Sequence, residues 1–180
     1  MSSTNSRTTK LPKLTDPEAA SAMFEAVRAV AEQSFFAVAE PSDDRAFGVA
    51  AVQVPRWLVA TVGFEQGPLA GSVSCTLPEG LANGLFDAFT GRDPGDPAPA
   101  ATLVLDLIGE FSNMVCGAWL TRVEGNLTFT LSHPSVEPVV KPGTAGDLRL
   151  VAAIDDLPVA VDLRLSPRRR VNGNGSNPHA

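Results

Sequence analysis

Residues 106–117, with the sequence DLIGEFSNMVCG, predict a helix that is largely buried and exposes one narrow polar edge. At 3.6 residues per turn, Asp106, Glu110, Asn113 and Gly117 lie in one stripe, because they are spaced by four, three and four positions. The stripe therefore presents a carboxylate and a carboxamide one turn apart, beside a glycine that leaves room for a partner. Most of the remaining circumference is apolar and is expected to be buried: Leu107, Ile108, Phe111, Met114, Val115, Ala118 and Trp119.

The stripe has two interpretations. Any half-buried helix shows a polar edge to solvent, and the spacing alone is consistent with that. A functional interpretation is favoured because Asn is unfavourable inside a helix and because glycine, found at Gly109 and Gly117, costs about 1 kcal/mol relative to alanine. Glycine also permits close helix packing, so the pattern by itself leaves both interpretations open.

Composition and charge exclude several classes of function. The chain has 180 residues, of which 44% are hydrophobic, which suits one domain or two halves that share one core. Its net charge of −6 argues against a nucleic-acid partner, since such binding depends on Lys and Arg contacts to phosphate. The chain has no apolar run of about eighteen residues, and its polar start lacks the apolar core of a secretory signal. We therefore expect a cytoplasmic protein whose partners include neither nucleic acid nor a membrane.

The cysteines and histidines do not form a recognisable metal site. Cys75 and Cys116 lie within apolar patterns and are expected to be small core residues rather than a disulfide pair. His133 and His179 have no cysteine pair near them in the sequence, so zinc is not indicated. We expect the chain to bind no metal and no cofactor of its own.

Further elements follow outward from the central helix in both directions. A capping box from Thr15 to Glu18, or Asp16 as the cap, predicts a helix that begins there and continues to about residue 36. β-like runs follow at about 47–54, 57–64 and 69–76, and the turn residues 65–68 join the last two as a hairpin. A second capping box, Thr76 to Glu79, predicts a helix that runs to about residue 90 and is ended by Gly91. Residues 92–100 form a linker, and β-like runs near 122–131, 148–154 and 159–165 follow the central helix, with a turn at 155–158.

This order suggests two similar halves, each a long helix and three strands. The predicted fold class is α/β (α+β), with two pseudo-repeated halves whose long helices pack on a β-sheet core. We expect a single domain over 15–166, with halves at about 15–91 and 98–166, between disordered tails at 1–14 and 167–180. The first helix repeats the stripe as Ser21, Glu25 and Arg28, with an arginine where the second half has asparagine.

The most specific segments are GEFSNMVCG at 109–117, LTFTLSHPSV at 127–136 and GPLAGSVSCTLPEGLA at 67–82. With them, residues 17–165 resemble the CheC/CheX/FliY phosphatases of bacterial chemotaxis. The motif of that family is Asp or Ser, a Glu four positions on, an Asn three further and a later Pro. Here Asp106, Glu110 and Asn113 match it, and Pro134 lies one residue earlier than expected. Because only the second half carries the intact motif, the chain is most similar to the CheX-like branch.

The resemblance implies an enzyme that hydrolyses the phospho-aspartate of a CheY-like response regulator. Asn113 would orient the attacking water and Glu110 would dock a lysine of the partner, while Asp106 and Gly117 would contact the partner. Mg²⁺ is expected in the receiver domain of the partner and not in this chain, and a homodimer is implied. The alternative is a module that docks a response regulator or joins a flagellar-switch-type assembly without hydrolysis. A purely structural dimer is a third possibility.

Overall fold

The structure, a computed structural model, describes residues 17–167 except 68, 94, 144 and 145. Four helices and seven strands occur in this part of the chain. Their bounds in chain order are α1 Pro17–Phe35, β1 Ala39–Pro41, α2 Asp44–Gln53, β2 Trp57–Gln66, β3 Leu69–Pro78, α3 Glu79–Thr90, α4 Ala101–Val123, β4 Thr130–Leu131, β5 Ser135–Val139, β6 Leu148–Ile154 and β7 Leu157–Pro167.

The strands form one antiparallel sheet in which the two halves of the chain interlock. Its order is β1-β6-β7-β3-β2-β4, and β5 also pairs with β2. The series α1, β1, β2, β3 in the first half corresponds to α4, β5, β6, β7 in the second, related about the central β3–β7 pair. The outermost strand of each half pairs with the other half, because β1 joins β6 and β5 joins β2. The predicted mixed fold with repeated halves is confirmed, whereas the domain bounds stay a prediction.

Both predicted hairpins are present. In the first, Gln66 pairs with Leu69, and Gly67 has a positive φ of 55°, which glycine adopts without strain. In the second, Ile154 pairs with Leu157 around Asp155 and Asp156, whose φ values are 47° and 65°. Positive φ at both central residues is typical of a type I′ turn, which matches the twist of the strands it joins.

The sheet separates two apolar layers. Alternating residues of β2, including Leu58, Ala60, Val62 and Phe64, are buried in one core cluster with residues of α1, α3 and α4. On the opposite face, α2 covers only part of the sheet, around a small cluster of Phe47, Trp57, Val151 and Ala160. The long helices α1 and α4 thus share one face of the sheet and contact each other.

The prediction of a strand at 47–54 is wrong, because this segment forms most of α2. Asp43 caps the helix, since its Oδ1 accepts a hydrogen bond from the backbone N–H of Ala46 at 2.8 Å. Phe47, Ala50, Ala51 and Val54 pack on one side of the helix. Their spacing of three, one and three is helical, and it resembles an apolar strand when only the overall hydrophobicity is considered.

The strand predicted near 122–131 is also largely wrong. Helix α4 continues to Val123, only Thr130 and Leu131 pair with β2, and the unpredicted β5 follows at Ser135–Val139. Pro138 lies within β5, and proline argues against a central strand. β5 lies at the edge of the sheet, where a strand tolerates a residue without an N–H donor.

The second capping box is wrong although its helix is correct. Thr76 is buried in β3, where it pairs with Val59 and Ala160, and α3 begins after Pro78 without a side-chain cap. Gly91 ends α3 with φ 65°, as expected. The first capping box, Thr15 and Asp16, and the tails at 1–14 and 168–180 lie outside the described residues, while residue 167 ends β7.

Candidate functional site

Helix α4 exposes most of the predicted stripe. Its apolar sides are buried against the sheet and α1, whereas Asp106 and Glu110 are exposed and Asn113 and Gly117 are half-buried. The prediction that Met114 is buried is wrong, because its side chain is 39% exposed. Met114 follows Glu110 by one turn and lies at the margin of the stripe, where helical spacing alone cannot separate buried from exposed positions.

Close packing at Gly109 sets the surroundings of Glu110. A Cβ atom at Gly109 would lie 3.2 Å from Cγ and 3.3 Å from Cβ of Pro134, closer than a side chain ordinarily packs. The absence of a side chain at Gly109 therefore lets the 133–136 segment lie directly against α4. On the same helix, the buried Ser112 Oγ donates a hydrogen bond to the carbonyl of Ala60 at 3.1 Å, which anchors α4 to β2. Pro134 thus contacts the helix at Gly109, the residue before Glu110.

Glu110 has no partner among the described residues. Its carboxylate makes no hydrogen bond or ion pair with any described residue, and the same is true of Asp106 one turn earlier. Two exposed carboxylates without counterions remain fully able to pair with a cation on another molecule. Gly117 at the end of the stripe has open space around its Cα, so a partner can approach the helix backbone there.

Asn113 is less exposed than a residue on a fully solvent-facing edge of a helix would be. The side chain is half-buried, and its Oδ1 is shielded from water and has no hydrogen-bond partner among the described residues. An unsatisfied buried polar atom costs about 1–3 kcal/mol, so such atoms are uncommon in native proteins unless they have a role. The Oδ1 acceptor of this carboxamide is therefore not used by any described residue.

In the corresponding stripe of α1, by contrast, the acidic side chain already has a partner. Arg28 Nη2 donates to Glu25 Oε2 at 2.6 Å, and Arg28 Nη1 donates to Glu32 Oε2 at 3.1 Å. The hydrogen bond from Arg28 lowers the pKa of Glu25 below its usual value. Glu25 and Arg28 therefore form a surface ion pair, and the acid of the first half is already engaged by a cation.

A cavity of about 840 Å³ borders the exposed edge of α4. Asp106 and Glu110 form part of its wall, and most of the remaining lining is apolar. Phe89 of α3 and Leu103 of α4 contribute large exposed side chains. The ring of Phe89 contacts Phe35, but its side chain remains 53% exposed.

The described residues do not provide a metal site or an activated thiol. No group of three or more His, Cys, Asp or Glu side chains suited to a metal ion occurs among them. Cys75 and Cys116 are buried free thiols, and burial raises the pKa of each to about 12. Both remain protonated near neutral pH and behave as core residues.

Among the helices of the described residues, α4 is the one long and apolar enough, by length and composition, to cross a membrane. Half of its most apolar window is buried inside the protein, against the sheet and α1. A core helix meets the same criteria, and packing in the core accounts for the apolar character of α4.

Comparisons with known proteins identify relatives of this fold. The family model described as Chemotaxis phosphatase CheX matches residues 58–137, from β2 to β5. The chemotaxis protein CheX from Vibrio vulnificus has a similar structure, with a TM-score of 0.63 at 17% identity over 83% of this chain and 97% of that one. A CheC-like superfamily protein from Shewanella sp. PV-4 gives 0.63 at 15% identity, covering 84% and 99%.

A third similar structure contains a partner. It is a complex of CheX with CheY, BeF₃ and Mg²⁺ from Borrelia burgdorferi, with a TM-score of 0.57 at 11% identity, covering 87% of this chain and 99% of that one. At these identities the structural likeness shows a shared fold. No curated protein sequence matches the chain.

Proposed function

Because the chain belongs to the CheC/CheX/FliY family, in its CheX-like branch, we propose that it hydrolyses the phospho-aspartate of a response-regulator receiver domain. The observation that carries the proposal is the contrast between the two long helices. On α4, Glu110 is exposed and the half-buried Asn113 lies one turn away on the same stripe, and neither side chain has a partner among the described residues, whereas Arg28 engages the acid at the matching position of α1. The similar complex of CheX with CheY supports a CheY-like partner.

Asn113 supplies the group that the reaction needs. An acyl phosphate is already activated, so its hydrolysis requires a water molecule held in line with the phosphorus–oxygen bond rather than a nucleophilic side chain. A carboxamide both donates and accepts hydrogen bonds and can therefore orient that water, as a glutamine does in small GTPases. The unused hydrogen-bonding capacity of Asn113 supports this role.

Glu110 fixes the position of the partner. Its free carboxylate pairs with a lysine near the phosphoryl group of the receiver, one helical turn from Asn113, so that the water and the phosphorus are brought into register. Asp106 and Gly117 extend the contact along the same stripe. When Mg²⁺ is bound, carboxylates of the receiver would hold it, and it would neutralise phosphoryl charge there.

The direct test is the lifetime of a phosphorylated receiver domain from the same organism. Under the proposal, the purified chain shortens that lifetime in proportion to its concentration. A module that only docks the regulator, or joins a flagellar-switch-type assembly, binds the receiver and leaves the lifetime unchanged. We place both activities in the cytoplasm, where response regulators act.

The stripe of the first half is expected to be inactive. Glu25→Ala and Arg28→Ala should each change turnover by less than about twofold, because surface substitutions away from a site have small effects. Initial rates with the phosphorylated receiver measure this. A large loss with either variant would mean that α1 carries a second site or a partner contact.

We also propose a homodimer in which the Glu110 and Asn113 edge stays exposed to the partner. The edge strands β1 and β5 are short, and each contains a glutamate and a proline (Glu40 and Pro41 in β1, Glu137 and Pro138 in β5). Such residues discourage pairing through an edge, so a dimer that simply extends the sheet is disfavoured. Light scattering should give twice the 18.8 kDa mass of the chain. A monomer at high concentration would contradict the dimer.

A further inference from the structure

The cavity beside Glu110 exposes large apolar side chains in one concave region. Phe89, Leu103 and Met114 line it and are 53%, 52% and 39% exposed. They come from α3 and from two turns of α4, so no single amphipathic helix accounts for them. Apolar surface gathered in a concave region is typical of a binding site, whereas single exposed hydrophobic residues are ordinary. We call this region the α3–α4 groove, defined by Phe89, Leu103, Asp106, Glu110 and Met114.

The charge of the α3–α4 groove is one-sided. Asp106 and Glu110 are both on its wall and have no counterion among the described residues. Its described lining includes neither lysine nor arginine. A negatively charged apolar groove favours a partner that is both apolar and positively charged, since such a partner fills the cavity and neutralises the carboxylates.

We infer that the α3–α4 groove docks an apolar side chain of the receiver domain, carried on a segment that also presents a lysine or arginine. The inference rests on the proposed function and deepens it by naming the surface of the partner that is recognised. Glu110 lies on the wall of the α3–α4 groove and one helical turn from Asn113. Its carboxylate therefore contacts the partner next to the position where the phosphoryl group is hydrolysed. The groove sets the affinity for the partner, and Asn113 acts on the water.

The test measures the affinity for the receiver domain (Kd) separately from the turnover rate (kcat). Leu103→Ala and Phe89→Ala should each raise the Kd for a beryllofluoride-loaded receiver domain, and the double variant should raise it by about tenfold, because apolar surface buried on binding is lost. The kcat with saturating phosphorylated receiver should not change. Val52→Ala is the matched control, since Val52 is 88% exposed on α2, the helix on the opposite face of the sheet, and it should bind as the unaltered chain does.

Each of the following results would support or overturn the inference. Unchanged Kd in the groove variants, or an equal rise with Val52→Ala, would overturn the inference. A lower kcat at unchanged Kd would also overturn it, because the groove would then act in the reaction. Tighter binding after deletion of residues 168–180, which include Arg168, Arg169 and Arg170, together with no effect of Leu103→Ala, would identify this tail as the occupant and overturn the inference. Binding that depends on the groove without any hydrolysis by the unaltered chain would support the inference and reject the proposed phosphatase.

Discussion

Asn113→Ala is expected to lower the hydrolysis rate of a phosphorylated receiver domain by about 10²-fold or more, the usual effect of removing one positioned polar group from a reaction site. The fold should not suffer. Alanine is a better helix former than asparagine, and the substitution removes a buried oxygen that has no hydrogen-bond partner. Activity and stability should therefore move in opposite directions, which is typical of a functional position.

Single-turnover decay of the phosphorylated receiver and thermal unfolding followed by circular dichroism measure the two effects. Asn83→Ala is the matched control, because Asn83 is an exposed asparagine in another helix, α3. This control should keep full activity. Full activity of Asn113→Ala would reject the water-orienting role, and loss of activity through unfolding would show that the side chain is structural.

Glu110→Lys is expected to weaken binding of the receiver by at least about 10²-fold, because like charges brought together across an interface cost several kcal/mol. Glu110→Ala should have a smaller effect of the same sign. Turnover at low receiver concentration should fall with affinity. No internal contact is lost, since Glu110 is exposed and makes no ion pair with any described residue, so the variant should fold normally.

The control for charge is Glu40→Lys, which changes the net charge by the same amount on β1, at the edge of the sheet. Binding by isothermal calorimetry at two salt concentrations separates a specific pair from a general charge effect, because general effects are screened at high salt. Equal weakening by both variants would remove Glu110 from the interface. Unchanged binding of Glu110→Lys would do so as well.

Local patterns in the sequence predicted the elements whose signals are complete within a few residues. The β2–β3 hairpin depends on Gly67 and the β6–β7 hairpin on Asp155 and Asp156, and each turn is specified by its own residues. Helix α4 was predicted with its exposed edge because a period of 3.6 over many residues is the strongest local signal. The prediction of the family depended on the same edge.

Two strands at the edges of the sheet, β1 and β5, are not predicted by the sequence. β1 has three residues and β5 has five, and both lie at edges of the sheet. Short edge strands carry little apolar alternation and tolerate proline, so their pairing is decided by the neighbouring strand rather than by their own residues. The apolar run at 47–54 resembles a strand in the sequence. Its helical face becomes evident only from its packing against Trp57 and Val151, which lie outside the run.

The sequence by itself determined that the carboxylates, the carboxamide and the glycine follow one another along one edge of α4. Residues three or four positions apart lie on the same side of a helix with 3.6 residues per turn. The sequence also determined that the first half lacks the asparagine. Only the tertiary structure brought Pro134 against Gly109, left Phe89 and Leu103 exposed beside Glu110, and shielded Oδ1 of Asn113. These features depend on contacts between residues far apart in the chain, and packing of distant elements is not encoded in the periodicity of any one of them.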